Sequence, residues 1–277
     1  MKSKTYLWVV AVVGLTILGV NQSRAQIVYE SFSYTNGQNL SGLNGGIGFS
    51  GAWTAANPAN SQIGTGSLSD GNLVVQGNDL AISGKVDSGN VGNADNLSRT
   101  LTTNLGGAGQ DIWVSFLMEK TAGAGSYGGL ILGTGATQVG AVSNGKGLFI
   151  GYSGAAFSIG PNGAAAGLSG GTVTTGTPQF IVANLNYTTA TGGTITLYLN
   201  ATPGGSLGTA LGSTTFSLNS FGQIGFASLS GVLFDEIRIG DSYLSVSPIP
   251  EPAPYTLLGI GFLALILVQI NRKRLLA

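Results

Sequence analysis

The chain has neither cysteine nor histidine among its 277 residues. The first absence excludes a disulfide framework and thiol chemistry. The second removes the commonest general base, the commonest zinc ligand and the side chain that titrates near neutral pH. Charge is scarce as well. Asp, Glu, Lys and Arg make up 8% of the chain, against about a quarter in an ordinary globular protein. Eleven cations and eleven acids cancel over the full length, but the ends distort that balance. Between residues 26 and 247 the cations are Lys85, Arg99, Lys120, Lys146 and Arg238, and ten acids face them, a net of about −5. A basic footprint for nucleic acid is therefore absent. No stretch of this region carries a 3.6-residue apolar period, so almost no helix is expected in it.

Glycine is abundant, with 47 residues, and Ser, Thr and Asn fill much of the remainder. Short apolar or alternating runs recur between turn signals such as Gly77-Asn78, Gly192-Gly193 and Pro203-Gly204-Gly205. Strands are expected at Leu73–Gln76, Asp79–Ser83, Leu97–Leu101, Ile112–Met118, Gly129–Leu132, Leu148–Tyr152, Phe157–Ile159, Phe180–Tyr187, Thr194–Asn200, Thr214–Leu218, Ile224–Ala227 and Leu233–Ile239. In Thr194–Asn200, Ile195, Leu197 and Leu199 alternate with Thr194, Thr196 and Tyr198, giving one buried and one wet face. This spacing predicts an all-β, two-sheet antiparallel sandwich of the jelly-roll kind over residues 26–247. Gly160–Thr177 reads as a long surface loop within that single domain.

The two ends have a different character. Residues 1–25 read as a secretory signal peptide: Lys2 and Lys4, an apolar core from Tyr6 to Val20, and Ser23-Arg24-Ala25 as the cleavage site. The cut is expected between Ala25 and Gln26, by signal peptidase after passage through the Sec translocon. At the other end Pro248, Pro250, Pro252 and Pro254 surround Glu251. An apolar run follows, read as a transmembrane helix over 255–270, then Arg272, Lys273 and Arg274.

The triplet Pro250-Glu251-Pro252, the apolar helix and the basic end resemble the PEP-CTERM sorting signal of bacterial exported proteins. That resemblance implies an inner-membrane intermediate held by the helix. It also implies cleavage near the motif by an exosortase, and delivery to the cell surface or extracellular matrix. Within the domain, Glu30, Phe32 and Tyr34, then Gly48, Phe49 and Trp53, resemble the opening of concanavalin-like or laminin-G-like sandwiches. Leu233–Asp241 (LFDEIRIGD) resembles their closing strand.

Catalytic signals are weak. Gly123–Gly128 formally matches GxGxxG, but a strand follows where a dinucleotide site needs a helix. Gly140–Gly147 approaches a P-loop, yet Gly147 stands where Ser or Thr must bind magnesium. A glycosidase needs two carboxylates about 5–9 Å apart, and the adjacent pair Asp235-Glu236 points to opposite faces of a strand. On strict alternation Asp235 shares the apolar face with Leu233, Ile237 and Ile239. It reads there as a carboxylate fastened by a loop's backbone, or as a calcium ligand. Asp70, Asp79, Asp87 and Asp95, with Asn72, Asn78, Asn90, Asn93 and Asn96, form a second oxygen-rich stretch compatible with calcium; no other cofactor is indicated. Tyr198, on the polar face of its strand, is the candidate for stacking on a sugar ring, whereas Trp113 reads as core. The function expected from all this is a non-catalytic structural or carbohydrate-binding component of the envelope or matrix, with exopolysaccharide as partner. A polysaccharide-active hydrolase or lyase is the alternative, and a passive single-span anchored domain a further one.

Overall fold

In the computed structural model, residues 25–55, 57–71, 73–84, 86–87, 97–133, 147–160 and 168–247 are described. In chain order the strands are β1 (Gln26–Glu30), β2 (Thr54–Ala55), β3 (Ser61–Ile63), β4 (Leu80–Ile82), β5 (Val86–Asp87), β6 (Leu97–Leu105), β7 (Asp111–Lys120), β8 (Tyr127–Gly133), β9 (Gly147–Ser153), β10 (Ala156–Gly160), β11 (Leu168–Gly170), β12 (Gln179–Thr189), β13 (Gly192–Leu199), β14 (Gly212–Phe216), β15 (Phe221–Ser228) and β16 (Val232–Gly240). A 3-10 turn at Pro58–Asn60 and one α-helical turn, α1 (Tyr243–Val246), are the helical pieces among the described residues.

The strands form two antiparallel sheets. The first runs β14-β13-β12-β7-β16-β4-β3, with β1 also paired to β16. The second runs β11-β10-β9-β8-β15-β6-β2, with β5 also paired to β15. Alternation explains the layering. Val114 and Phe116 on β7, Ile181 and Leu185 on β12, and Ile195 and Leu197 on β13 face Leu130, Ile150, Phe157, Ile224 and Phe226 of the second sheet in one buried core. The two-sheet sandwich expected from the strand spacing is thus what the chain forms. Two expectations fail locally. Residues 73–76 are not a strand, and Leu168–Gly170, inside the expected surface loop, pairs with β10 as an edge strand.

A buried polar knot joins the two sheets. The Glu30 carboxylate on β1 receives hydrogen bonds from Phe32 N (3.0 Å), Tyr34 Oη (2.9 Å) and Trp53 Nε1 (2.9 Å). Arg99 on β6 donates to it at 2.6 Å. The same guanidinium donates to Gly51 O and Asn44 Oδ1 and lies 4.0 Å from the centre of the Phe49 ring. Burial, then the neighbouring Glu30 charge, pushes the Tyr34 hydroxyl up to about 12. Gly48 has φ +83°, and a Cβ there would sit 2.3 Å from Ile27 O, so only glycine fits. The loose opening motif therefore spells out this knot: carboxylate, two of its ring donors, a tight turn and a ring over the arginine. Arg99, the partner that makes the buried charge tolerable, lies outside the motif.

Candidate functional site

The outer face of the first sheet is divided in two, and β16 divides it. Its pairing with β7 shifts register between Asp235 and Arg238, and Glu236 has φ +54°. This is a bulge. On the far side of β16, β4 pairs with Val232–Phe234 and β1 takes over from Ile237, so the bulge lies where the neighbour changes. The bulge breaks strict alternation. Phe234, Ile237 and Ile239 all face the core, while Asp235 faces outward with Leu233. The expectation that Asp235 shares a face with Ile237 and Ile239 is corrected on this point.

The three ionisable residues around the bulge fasten a strap, described over residues 64–71 and 73–79, across the outer face. Asp235 Oδ2 accepts from Ser67 Oγ (2.5 Å) and Leu68 N (3.0 Å), and Oδ1 accepts from Glu236 N (2.8 Å). Glu236 accepts from Gln76 N and from Tyr29 Oη, the latter at 3.2 Å. Arg238 donates to Val74 O and to Glu236. Burial pushes the Asp235 carboxyl up to about 8, against the Ser67 hydrogen bond that lowers it. Burial also raises Glu236, opposed by Arg238. Under the strap Leu68 and Leu73 pack with Leu117, Phe180, Val182, Tyr243 and Val246 in a second apolar cluster. The α1 turn completes the seal: Ser115 Oγ donates to Val246 O, and Ser247 Oγ donates to Tyr243 O.

Beyond this cover the sheet is open, and its register sets out two rows of side chains. One row crosses four strands as Asp111, Asn186, Thr194 and Thr215. The next runs Trp113, Asn184, Thr196 and Ser213. Tyr198 stands one step further along β13. The Trp113 and Tyr198 rings are 6.3 Å apart with planes 23° from parallel, and Tyr243 of α1 lies 6.0 Å from Trp113. Asn186 Nδ2 donates to Asp111 Oδ1 (2.7 Å), and Thr196 and Ser213 share a hydrogen bond of 2.8 Å. Asn184 Nδ2 has no protein acceptor. Asp111, Asn186, Ser213 and Thr215 are exposed, and Trp113, Asn184, Thr194, Thr196 and Tyr198 are half-buried. An aromatic pair beside amide and hydroxyl groups, with one carboxylate and no cation on either row, is equipped to hold an uncharged polar ligand.

The structure places the sequence-predicted residues unevenly. Tyr198 is on the open face as expected. Trp113, expected in the core, is its partner there. Asp235 has three protein donors on its two oxygens, the loop-fastening arrangement. Of the oxygen-rich stretch, Asp79 is buried with its carboxyl raised by burial, and Asn78 Nδ2 donates to Tyr34 O. Asp95, Asn72, Asn90, Asn93 and Asn96 lie outside the described residues. No group of three or more acidic side chains placed to hold a metal ion occurs among the described residues. Gly123–Gly128 leads into β8, a strand. Ala25 is exposed and Gln26 opens β1. The tail residues Pro250, Glu251, Pro252, Arg272, Lys273 and Arg274, the apolar segment 255–270 and residues 1–24 lie outside the described residues. Among the described residues no helix is long and apolar enough to cross a membrane.

No family model and no curated protein matches the chain. Among solved structures it is similar to an endo-β-1,4-glucuronan lyase from the fungus Trichoderma reesei, at 12% identity and TM-score 0.48, over 81% of this chain and 99% of that one. It is also similar to the globular domain of T. cruzi calreticulin, at 11% identity and TM-score 0.45, over 79% and 89%. A third is the carbohydrate-binding module CBM66 from Bacillus subtilis, at 14% identity and TM-score 0.36, over 72% and 93%. At these values the likeness is one of strand arrangement and carries nothing about ligand or chemistry.

Proposed function

We propose that the chain is an exported, surface-destined, non-catalytic sandwich of the concanavalin-like type, which binds carbohydrate on the open half of its first sheet. The observation that carries this reading is the Trp113–Tyr198 pair set among rows of Asn, Thr and Ser. Aromatic faces carry partial negative charge and attract the C–H faces of sugar rings, while amides and hydroxyls exchange hydrogen bonds with sugar hydroxyls. A non-catalytic role is supported by how the most deeply buried carboxylates are used: Glu30, Asp235 and Glu236 all accept hydrogen bonds that hold the fold together. Delivery rests on the leader, cut before Gln26, and on the PEP-CTERM-like tail, cut by an exosortase near Pro250-Glu251-Pro252. The final place is the envelope or matrix.

Affinity electrophoresis through gels containing polysaccharides tests the binding. The full-length protein is expected to be retarded, and Trp113→Ala to run free. Unchanged migration of the wild type in every gel would remove the carbohydrate role. Product release from the same polysaccharides, abolished by one Asp or Glu substitution, would replace it with an enzyme. Intact mass by cell fraction tests delivery: loss of residues 1–25 and of the tail is expected, and a form keeping the tail in the inner membrane would leave a plain anchored domain.

A further inference from the structure

We infer that the open face is selective for an uncharged glycan, held as a short run of sugar units lying across the strands from Trp113 to the β14 edge. This rests on the carbohydrate-binding reading above and deepens it.

Charge sets the class. Asp111 is the one acidic side chain on the two rows, and Asn186 already occupies its Oδ1. No Lys or Arg belongs to either row. A polyuronate or sulfated glycan would bring like charge to Asp111, on a domain already negative overall, with no cation to receive it. A neutral chain meets no such penalty.

Geometry sets the direction. Past Trp113 the second row reaches Gly240 of β16. There the face is closed, because a Cβ at Gly240 would lie 2.1 Å from Ser245 Oγ of α1. Tyr243 stands against Trp113 on that side. In the other direction β14 is the last strand of the sheet. The open run thus spans three strand spacings, about 14 Å, which suits a short oligosaccharide better than one ring. Midway along it Asn184 Nδ2 is covered by its neighbours, so the groups presented to a ligand are the exposed Asn186, Ser213 and Thr215 and the two half-buried rings.

The test is calorimetry on the full-length protein with neutral cello-, laminari- and manno-oligosaccharides of two to six units, and with oligogalacturonates of the same lengths. The expected result is tightening from the disaccharide to about the tetrasaccharide and then a plateau, for at least one neutral series. Oligogalacturonates should bind at least tenfold more weakly. Trp113→Ala should weaken every length at least tenfold, with Tyr198→Ala as a second variant should the first fail to fold. Ser213→Ala/Thr215→Ala should weaken only the longer chains, several-fold. Equal or tighter binding of oligogalacturonates, still lost in Trp113→Ala, would overturn the selectivity and leave the carbohydrate role standing. Binding with no length dependence would overturn the extended run. No binding of any series, or binding indifferent to Trp113 and Tyr198, would end both readings.

Discussion

The two halves of the outer face are built on the same strands with opposite chemistry. On the sealed half Asp235, Glu236 and Arg238 are almost wholly buried, and each reaches a different point on the strap. On the open half Asn, Thr, Ser and the single carboxylate of Asp111 stand beside two half-buried aromatic rings. Ionisable side chains are used where backbone has to be fastened, because buried polar and ionic groups demand partners and so specify geometry. Where the surface stays free the groups are neutral apart from Asp111. In a chain so poor in charge, this division is informative about which half is available to a ligand.

Substitutions can break the contrast. The largest effect is expected from Arg238→Ala, which leaves Glu236 buried without its cation. Breaking a buried pair in this way costs about 3–5 kcal/mol, read as a lower urea midpoint together with protease cleavage inside residues 64–79. Asp235→Asn should act through pH. The native carboxyl, raised from 3.8 to about 8, binds its proton more tightly than the unfolded one. Its contribution to stability is therefore fully present below about pH 4 and lost as pH rises through about 8. Urea midpoints measured from pH 4 to 9 should fall for the wild type and fall less for the variant. Trp113→Ala, on the half-buried open face, should cost about 1 kcal/mol in the same assay while removing retention in polysaccharide gels. Smallest is Ser213→Ala, within about 0.5 kcal/mol. If that change destabilised the fold as much as Arg238→Ala, the division into a structural half and a free half would collapse.

Much of the fold was legible because the strands alternate cleanly, as in β13, where Ile195 and Leu197 point inward and Thr194, Thr196 and Tyr198 outward. The site was less legible, for two local reasons. Strand β7 reads IWVSFLM, apolar on both faces, because the α1 turn covers Ser115 and the second apolar cluster covers Leu117. Trp113, half-buried at the edge of that cover, is therefore indistinguishable from a core residue by pattern alone. In β16 the bulge adds one residue to the count, so alternation carried through Glu236 assigns Ile237 and Ile239 to the wrong side relative to Asp235. A short strand interrupted by adjacent charged residues is the signal that could have marked it. The cross-strand rows depend on register between distant segments, which composition does not encode.

The position of β16 has a consequence for how the molecule is made. The last strand of the domain is also an inner one, pairing with β7 on one side and with β4 and β1 on the other. Tyr29 and Glu236, joined by a hydrogen bond, are 207 positions apart. Closing so long a loop makes folding slow, and a chain stopped before Val232 would leave β7, β4 and β1 with raw edges open to aggregation. Completion of the sheet therefore waits for its last strand: β7, β4 and β1 gain their shared neighbour only once the chain extends through Gly240.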